Sequence, residues 1–310
     1  MNFDKLTYAG NLENLQDFEN DKRYAFVQGD ICDIQKVREV VQQYGKFDAI
    51  INFAAETHVD RSLTCAGSFI QTDIFGAFVL LEAVKDLQIP RFIQISTDEV
   101  YGDIDFPKKS KETDKLHPSS PYSASKAGGD LQVLAYQRTY NLPVIITRST
   151  NNYGPYQYPE KLLPLFITNL LEGKKVPLYD QGTQIRDWIY VEDNCKALDL
   201  VLHKGVLGEI YNIGAENKPE ITNLEITQRL LRIFQKDSKQ IEPVNGLRPG
   251  HDQRYAVDSA KIRALGWQPE VDFEQGLQIT VDWYKNNKKW WQKIKSGEFK
   301  EYYQKHYQSK

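Results

Sequence analysis

The chain has 310 residues, of which 41% are hydrophobic, 12% aromatic and 26% charged, ordinary proportions for a globular protein with a proper core. Its formal net charge of -3 provides no broad positive field for a phosphate backbone, so no nucleic-acid partner is expected. Three widely spaced cysteines and five histidines without short ligand spacings argue against a disulfide framework and a metal site. We find neither a run approaching the roughly 18 apolar residues of a membrane span nor a signal peptide, and expect a cytoplasmic protein that does not bind membranes.

The first half of the chain alternates short apolar runs with longer amphipathic stretches, a pattern typical of a parallel sheet covered by helices. The predicted strands are Tyr24 to Gln28, Phe47 to Phe53, Arg91 to Ile95 and Pro143 to Thr147, and the predicted helices are Ile34 to Tyr44, Ser68 to Leu87 and Tyr122 to Tyr140. This order predicts an α/β fold with a doubly wound, Rossmann-like parallel sheet over residues 1–150.

The second half, residues 151–310, has Pro- and Tyr-rich connections and is predicted to form a smaller substrate-binding lobe, with some segments returning to the first domain. Its predicted helices are Lys161 to Glu172, Val191 to His203, Asn223 to Phe234 and a tail from Phe273 to Tyr307. The tail is rich in lysine and aromatic residues, and we interpret it as a solvated closing helix whose aromatic side chains pack inward.

The opening of the chain departs from the usual pattern of a dinucleotide-binding domain. Such a domain begins with a strand and a Gly-rich turn, whereas this sequence begins close to Asp4, where an acidic residue is expected after the second strand. We therefore expect a fragment or a misplaced start, the alternative being a genuine short form with impaired cofactor binding. Without the central strand, the edges of its two neighbours and an apolar groove would be exposed.

A Tyr-x-x-x-Lys spacing places Tyr122 and Lys126 on one face of a predicted helix. There the lysine ammonium can favour the ionised form of the phenol and make it a general base. The spacing alone is also common for a surface aromatic beside a solvated lysine, so its interpretation depends on a second signal.

That second signal follows the predicted strand Arg91 to Ile95, which delivers Thr97, Asp98 and Glu99 to the carboxyl edge of the sheet. Ligands of open α/β sheets bind at this edge. Two adjacent carboxyl groups suit acid and base roles if their environments separate their pKa values. Together with the tyrosine and lysine of the next helix, they predict an active site.

Seven ordered segments carry a resemblance to a known family. They are Asp4 to Asn11, Asp30-Ile31, Ala54 to Asp60, Ser96 to Gly102, Tyr122 to Lys126, Asn151 to Tyr156 and Arg248 to Asp252. On these segments the chain resembles, over nearly its whole length, the extended short-chain dehydrogenase/reductases and, among them, the dTDP-glucose 4,6-dehydratases. The departure from the family pattern is the Gly-x-x-Gly-x-x-Gly opening, which this sequence does not contain.

The resemblance implies conversion of dTDP-glucose to dTDP-4-keto-6-deoxy-glucose and water, with NAD as the bound cofactor. Tyr122 would remove the proton of the sugar 4-hydroxyl, with Thr97 hydrogen-bonded to the same oxygen and Lys126 supporting the phenol. Glu99 would then take the C5 proton, while Asp98 would protonate the departing 6-hydroxyl.

The resemblance also implies the binding residues. Those for NAD are Asp4, Lys5, Thr7, Asp30, Ile31, Ala54, Ala55, Thr72, Tyr122, Lys126 and Asn152. Those for the nucleotide-sugar substrate are Thr57, Thr97, Asn151, Lys161, Leu162, Tyr179, Arg186, Asn212, Arg248 and His251. A guanidinium fork at Arg186 and Arg248 would match a diphosphate.

Several alternatives stay open at this point. A UDP-glucose 4,6-dehydratase would share the whole catalytic set, whereas a 4-epimerase or a UDP-glucuronate decarboxylase would share Tyr122 and Lys126 without needing Asp98. A nucleotide-sugar binder without catalysis is the alternative from another class. By analogy with the family we expect a homodimer, with Ser68 to Leu87 and Tyr122 to Tyr140 as the helices of its interface.

Overall fold

The computed structural model describes residues 1–45, 47–244 and 250–297, which form two compact units. Unit 1 comprises Met1–Ser149, Lys196–Ile213 and Val257–Trp267, and unit 2 comprises Thr150–Cys195, Gly214–Ala256 and the chain from Gln268 onward. Two later segments of the chain therefore belong to the same unit as its first half.

Short strands and longer helices alternate along the chain. The strands are β1 Asn2–Asp4, β2 Phe26–Gln28, β3 Ile50–Asn52, β4 Phe92–Thr97, β5 Val144–Ser149, β6 Asn151–Tyr153, β7 Val176–Tyr179, β8 Ile185–Arg186, β9 Trp188–Tyr190, β10 Ile210–Ile213, β11 Ile221–Thr222 and β12 Ile241–Val244. The helices are α1 Ile34–Tyr44, α2 Val59–Ser62, α3 Ala66–Phe69, α4 Ala77–Leu87, α5 Pro121–Tyr140, α6 Leu162–Leu171, α7 Val191–Lys204, α8 Asn223–Ile233, α9 Ala260–Ala264, α10 Phe273–Asn286 and α11 Lys288–Ser296.

The main sheet of unit 1 is parallel, in the order β10-β5-β4-β3. Its central strands are nearly continuous runs of buried residues, as expected when helices cover both faces, and Ile93 pairs with Ile51 on one side and Ile145 on the other. A separate parallel pair joins β1 to β2, with Phe3 opposite Val27. The predicted Rossmann-like α/β class is confirmed.

Local capping signals explain where the helices of unit 1 begin. The side chain of Asp33 accepts a hydrogen bond from the Lys36 amide at 3.0 Å, and α1 then buries Val37, Val40 and Val41 on one face. The predicted bounds of this helix are those observed. Helix α5 likewise starts from a capping box, described at the site below.

The predicted single helix from Ser68 to Leu87 is wrong in one respect, because a π-helical turn, Ile70–Gly76, separates α3 from α4. The continuous stretch Ala66–Leu87 is also long and apolar enough to meet a membrane-span criterion, with a mean hydropathy of 1.3, contrary to our expectation. Half of that window is buried in unit 1, where the stretch packs against α5, as the core helix of a globular domain does.

Unit 2 has its own core, to which α6, α8 and α10 contribute. Its short strands, which the sequence patterns did not predict, form the parallel pairs β6–β9 and β7–β12 and the antiparallel pair β8–β11. The predicted tail helix is interrupted at Asn287, between α10 and α11, and its predicted end at Tyr307 lies outside the described residues. Tyr284 and Trp291 are buried, as the inward-packing interpretation requires.

Candidate active site

The end of β4 in unit 1 turns sharply and presents two acidic residues. Thr97 ends the strand, and a single 3₁₀ turn over Asp98–Tyr101 follows. The Thr97 hydroxyl accepts from the Glu99 amide at 3.2 Å and donates to the Asp98 carboxyl at 3.1 Å. These local bonds fix both carboxyl-bearing residues at the carboxyl edge of the sheet, and Asp98 is buried there.

The first turn of α5 brings the tyrosine and the lysine to the same place. Ser120 and Ser123 cap this turn reciprocally, with Pro121 at its first position. At the second position of the helix, the buried Tyr122 phenol lies beside Thr97. The Lys126 ammonium donates to the Ile95 carbonyl at 2.7 Å. The structure thus brings together the tyrosine and the strand-end residues that the sequence predicted as catalytic.

The free protein holds the proton on this phenol strongly. Burial raises the pKa of Tyr122 well above its ordinary value, and the charges of Glu99 and Asp73 raise it further, against a smaller opposing effect of the Thr97 hydrogen bond. A phenol in this state becomes a base only when positive charge lies nearby. Lys126, on the same face of α5, supplies one such charge.

A cavity of roughly 660 Å³ in unit 1 collects most of the predicted cofactor residues. Its wall includes Asp4, Lys5, Thr7, Asp30, Ile31, Ala54, Ala55 and Thr72. Its volume lies within the usual range of small-molecule sites, about 300 to 1,000 Å³. Between β1 and β3 the wall becomes apolar, with Phe3, Val41 and Leu80 among the lining residues.

The polar part of this cavity fits the adenosine half of NAD. The Lys5 ammonium lies 2.6 Å from the Asp30 carboxylate, and the Cys32 amide donates to Asp30 at 2.9 Å. Burial alone would raise the pKa of Asp30, but these two partners lower it, so this carboxylate is charged. Asp4 is oriented by the Leu6 amide at 2.7 Å. Two fixed carboxylates suit ribose hydroxyls and an adenine amino group, which donate hydrogen bonds.

Asn212 does not fit its predicted role in substrate binding. It has no exposed surface in unit 1; its side-chain oxygen accepts from the Tyr101 hydroxyl at 2.8 Å, and its amide donates to the Ser110 carbonyl at 3.0 Å. With both polar ends engaged by protein groups, Asn212 holds the loop at Ser110 and the turn at Tyr101. Thr57, another predicted substrate residue of unit 1, is exposed on the segment after β3.

Unit 2 brings several of the other predicted substrate residues near one another. His251 lies 3.8 Å from Asp180, which directly follows Tyr179 at the end of β7. The Arg186 guanidinium donates to the Asp252 carbonyl at 2.9 Å and stacks 4.1 Å from the Tyr255 ring. This guanidinium is therefore largely positioned by protein groups before any ligand arrives.

The remaining predicted substrate and cofactor residues of unit 2 lie on neighbouring elements. Asn151 and Asn152 are on β6, and Asn151 donates its backbone amide to the Asp187 carbonyl at 3.0 Å. Lys161 precedes α6 and Leu162 begins it. Arg248 lies outside the described residues.

The family model described as GDP-mannose 4,6 dehydratase matches residues 1–280. The chain belongs to this family. It is 46% identical to dTDP-glucose 4,6-dehydratase 1 of Escherichia coli (strain K12), with 100% of this chain and 92% of that protein covered. It is 49% identical to the dTDP-glucose 4,6-dehydratase of Neisseria meningitidis serogroup B, with 97% and 90% covered.

Solved structures give the same result at the level of the fold. DesIV, a dTDP-glucose 4,6-dehydratase from Streptomyces venezuelae with NAD and TYD bound, is similar with a TM-score of 0.90 at 47% identity, over 94% of this chain and 89% of that one. UDP-glucose 4-epimerase of Thermus thermophilus, in complex with NAD, has a TM-score of 0.84 at 28% identity, over 92% and 90%. The expected extended short-chain dehydrogenase/reductase family is thus confirmed.

A buried ionic network behind the site was missed by the sequence reasoning. Arg148 on β5 donates to the Asp130 carboxylate at 2.9 Å and to the Tyr101 hydroxyl at 2.8 Å, and the arginine and aspartate side chains are almost fully buried. The network ties α5 and β5 to the turn that carries the acids. A charged residue inside an apolar strand was its one sequence signal.

Asp73 was missed for a similar reason. It lies within the predicted apolar helix Ser68 to Leu87, and the structure buries it beside α5, where it influences Tyr122. A single acid on the apolar face of a helix is the signal that would have indicated it.

Proposed function

We propose that the chain is an NAD-dependent dTDP-glucose 4,6-dehydratase that forms dTDP-4-keto-6-deoxy-glucose and water. The observation that carries the proposal is the buried position of the Tyr122 phenol in unit 1, beside the turn after β4 that holds Thr97, Asp98 and Glu99. A base for a hydroxyl and two carboxyl groups for an elimination thus share one site.

The proposed roles are those that the family resemblance implies. Tyr122 takes the proton of the sugar 4-hydroxyl, and the Thr97 hydroxyl orients the same oxygen. Once C4 is a ketone, the C5 proton is acidic, and Glu99 removes it while Asp98 gives a proton to the departing 6-hydroxyl. Each such transfer contributes roughly 10² to 10⁴ in rate.

When bound, NAD would supply the hydride transfers at C4 and C6 that the side chains cannot perform. The residues that would hold its adenosine half line the cavity of unit 1, with Asp4 and Asp30 at the hydroxyl and amino donors and Ile31 against the base. Lys126 of unit 1 would lie near the nicotinamide ribose.

The buried Asp98 favours dehydration over the related reactions of this fold. An epimerase or a decarboxylase does not expel the 6-hydroxyl as water and needs no acid for it. We propose that residues of unit 2 bind the thymidine diphosphate, with Arg186 and Arg248 at the diphosphate. A substrate with uracil in place of thymine is the alternative.

For assembly we propose a cytoplasmic homodimer formed through α5 and the segment from α3 to α4. Leu131 on α5 and Ile70 in the π-helical turn are exposed in the single chain and would be covered by such an interface. Light scattering should give the mass of two chains, and Leu131→Glu should halve it. A single-chain mass for the unsubstituted protein would contradict the dimer.

The catalytic proposal is tested by incubating purified chain with dTDP-glucose and NAD⁺ and measuring the absorbance of the 4-keto sugar in alkali. UDP-glucose in a parallel reaction tests the base preference. Formation of the 4-keto product from dTDP-glucose is expected. Conversion to dTDP-galactose instead, or no turnover of either sugar nucleotide, would contradict the proposal.

A further inference from the structure

Asp73 is a buried carboxyl group for which the mechanism above has no use. It lies in the π-helical turn Ile70–Gly76 of unit 1 and is only 1% exposed. A carboxylate in such surroundings is unfavourable unless hydrogen bonds or an opposite charge compensate it.

Two hydrogen bonds of the carboxyl group and one close backbone approach fix the position of Asp73. One oxygen lies 2.5 Å from the Ser125 hydroxyl on α5, and the other accepts from the Glu56 amide at 3.1 Å. The close approach is between the two helices, where a Cβ at Gly129 would lie 2.6 Å from the Asp73 carbonyl oxygen. Because residue 129 is glycine, the π-helical turn can approach α5 closely, and Asp73 lies next to the face of α5 that carries the catalytic residues.

The opposite charge is the Lys126 ammonium. Lys126 is only 4% exposed and directly follows Ser125, the residue of α5 that is hydrogen-bonded to Asp73. The pKa of Asp73 is raised overall, because burial outweighs the Lys126 charge and the Ser125 hydrogen bond, which act in the opposite direction. The negative charge of Asp73 in turn contributes to the raised pKa of Tyr122, after burial and Glu99.

We propose that Asp73 is the buried counter-charge of Lys126 and thereby sets the pH at which Tyr122 releases its proton. The inference rests on the proposed function and makes Asp73 a positioning residue, since it acts through Lys126 and Tyr122 rather than on the sugar.

Other charged groups besides Asp73 lie near Lys126 and Tyr122. Glu99 and Asp98, from the turn after β4, face the phenol, and Asp130, paired with Arg148, lies on the Lys126 side. All of them remain when Asp73 is neutralised. Replacing this one residue therefore removes a single negative charge from the site and leaves the acid and base groups in place.

The kinetic test is Asp73→Asn, which keeps the size of the side chain and removes its charge. Without that charge the phenol ionises more readily, so the acid limb of the kcat–pH profile should shift to lower pH by about one unit. Asp86→Asn, which removes an exposed carboxylate from α4, should leave the limb in place. An unmoved limb, or an equal loss of kcat at every pH, would overturn the proposal.

A second measurement is independent of turnover. In protein labelled with ¹³C at the aspartate carboxyl carbons, the resonance that Asp73→Asn removes should have the chemical shift of a carboxylate at pH 8. The shift of a protonated carboxyl at that pH would overturn the proposal. If Asp73→Asn does not fold, Asp73→Ser removes the same charge with a smaller side chain. Failure of the chain to convert dTDP-glucose would end the proposed function, whereas this resonance would still report on Asp73.

Discussion

At the residue scale, the two acids that the sequence predicted as catalytic are held by contacts between near neighbours. Thr97 bonds to Asp98 and to the Glu99 amide within three positions of the chain, so a strand end and a short motif were enough to indicate them. Asp73 meets Ser125 across 52 positions. Such a contact is created by the packing of two helices, and no local pattern reports it.

The first prediction at this scale concerns the two acids after β4. Asp98→Asn and Glu99→Gln should each reduce kcat by roughly 10² to 10⁴, because each removes one proton transfer. Both changes nearly conserve side-chain volume, so the thermal midpoint should stay within a few degrees of the unsubstituted protein. Asp105→Asn, at an exposed position shortly after the same turn, is the control and should leave kcat unchanged. A similar kcat for all three variants would contradict the assigned roles.

At the element scale, helices with caps and a clear apolar face were predicted closely, whereas irregular elements were not. Helix α1 has both features, and its bounds agree with the prediction. The π-helical turn was missed, since the apolar periodicity continues through Ile70–Gly76 and no proline interrupts it. The strands of unit 2 have only two to four residues, which is too few to show an alternating apolar and polar pattern.

The close contact between α5 and the π-helical turn gives a prediction for this scale. Gly129→Ala would place its Cβ 2.6 Å from a backbone oxygen, so one helix must move away from the other. We expect a loss of about 1 to 3 kcal/mol in the free energy of unfolding. Gly67→Ala, on α3 with no atom within 4 Å of its Cβ, is the matched control and should be neutral or slightly stabilising. Chemical denaturation of both variants makes the comparison, and equal stability would contradict the packing described.

At the scale of the whole molecule, each unit contains buried phenols whose pKa values are raised, Tyr101 and Tyr122 in unit 1 and Tyr153 and Tyr284 in unit 2. Burial is the first cause in each case. A phenol that stays neutral in the folded state but ionises at about pH 10 in the unfolded chain destabilises the fold above that pH. The protein should therefore lose stability at alkaline pH in both of its cores.

Tyr153→Phe tests this dependence outside the catalytic residues. The stability that the raised pKa contributes is fully present below about pH 10 and is lost as the pH rises towards the folded-state pKa. At pH 10.5, ionisation of the Tyr153 phenol stabilises the unfolded chain by about 0.8 kcal/mol. The phenylalanine variant has no phenol at this position, so its unfolded chain is not stabilised in this way. The weak 3.4 Å bond of the phenol makes phenylalanine a mild replacement at neutral pH. Thermal melts at pH 8 and 10.5 should show that the midpoint of Tyr153→Phe rises relative to that of the unsubstituted protein at the higher pH. A midpoint difference that is the same at both pH values would contradict this dependence.

The central claim is that one site removes hydrogen at C4 of the sugar, eliminates water across C5 and C6, and delivers the same hydrogen to C6. Incubating the chain and NAD⁺ with dTDP-glucose that carries deuterium at C4, followed by NMR of the product, tests it most directly. We predict a 4-keto-6-deoxy sugar whose C6 methyl group carries that deuterium. Deuterium that remains at C4, in a sugar inverted at that carbon or in unchanged starting material, would contradict the account.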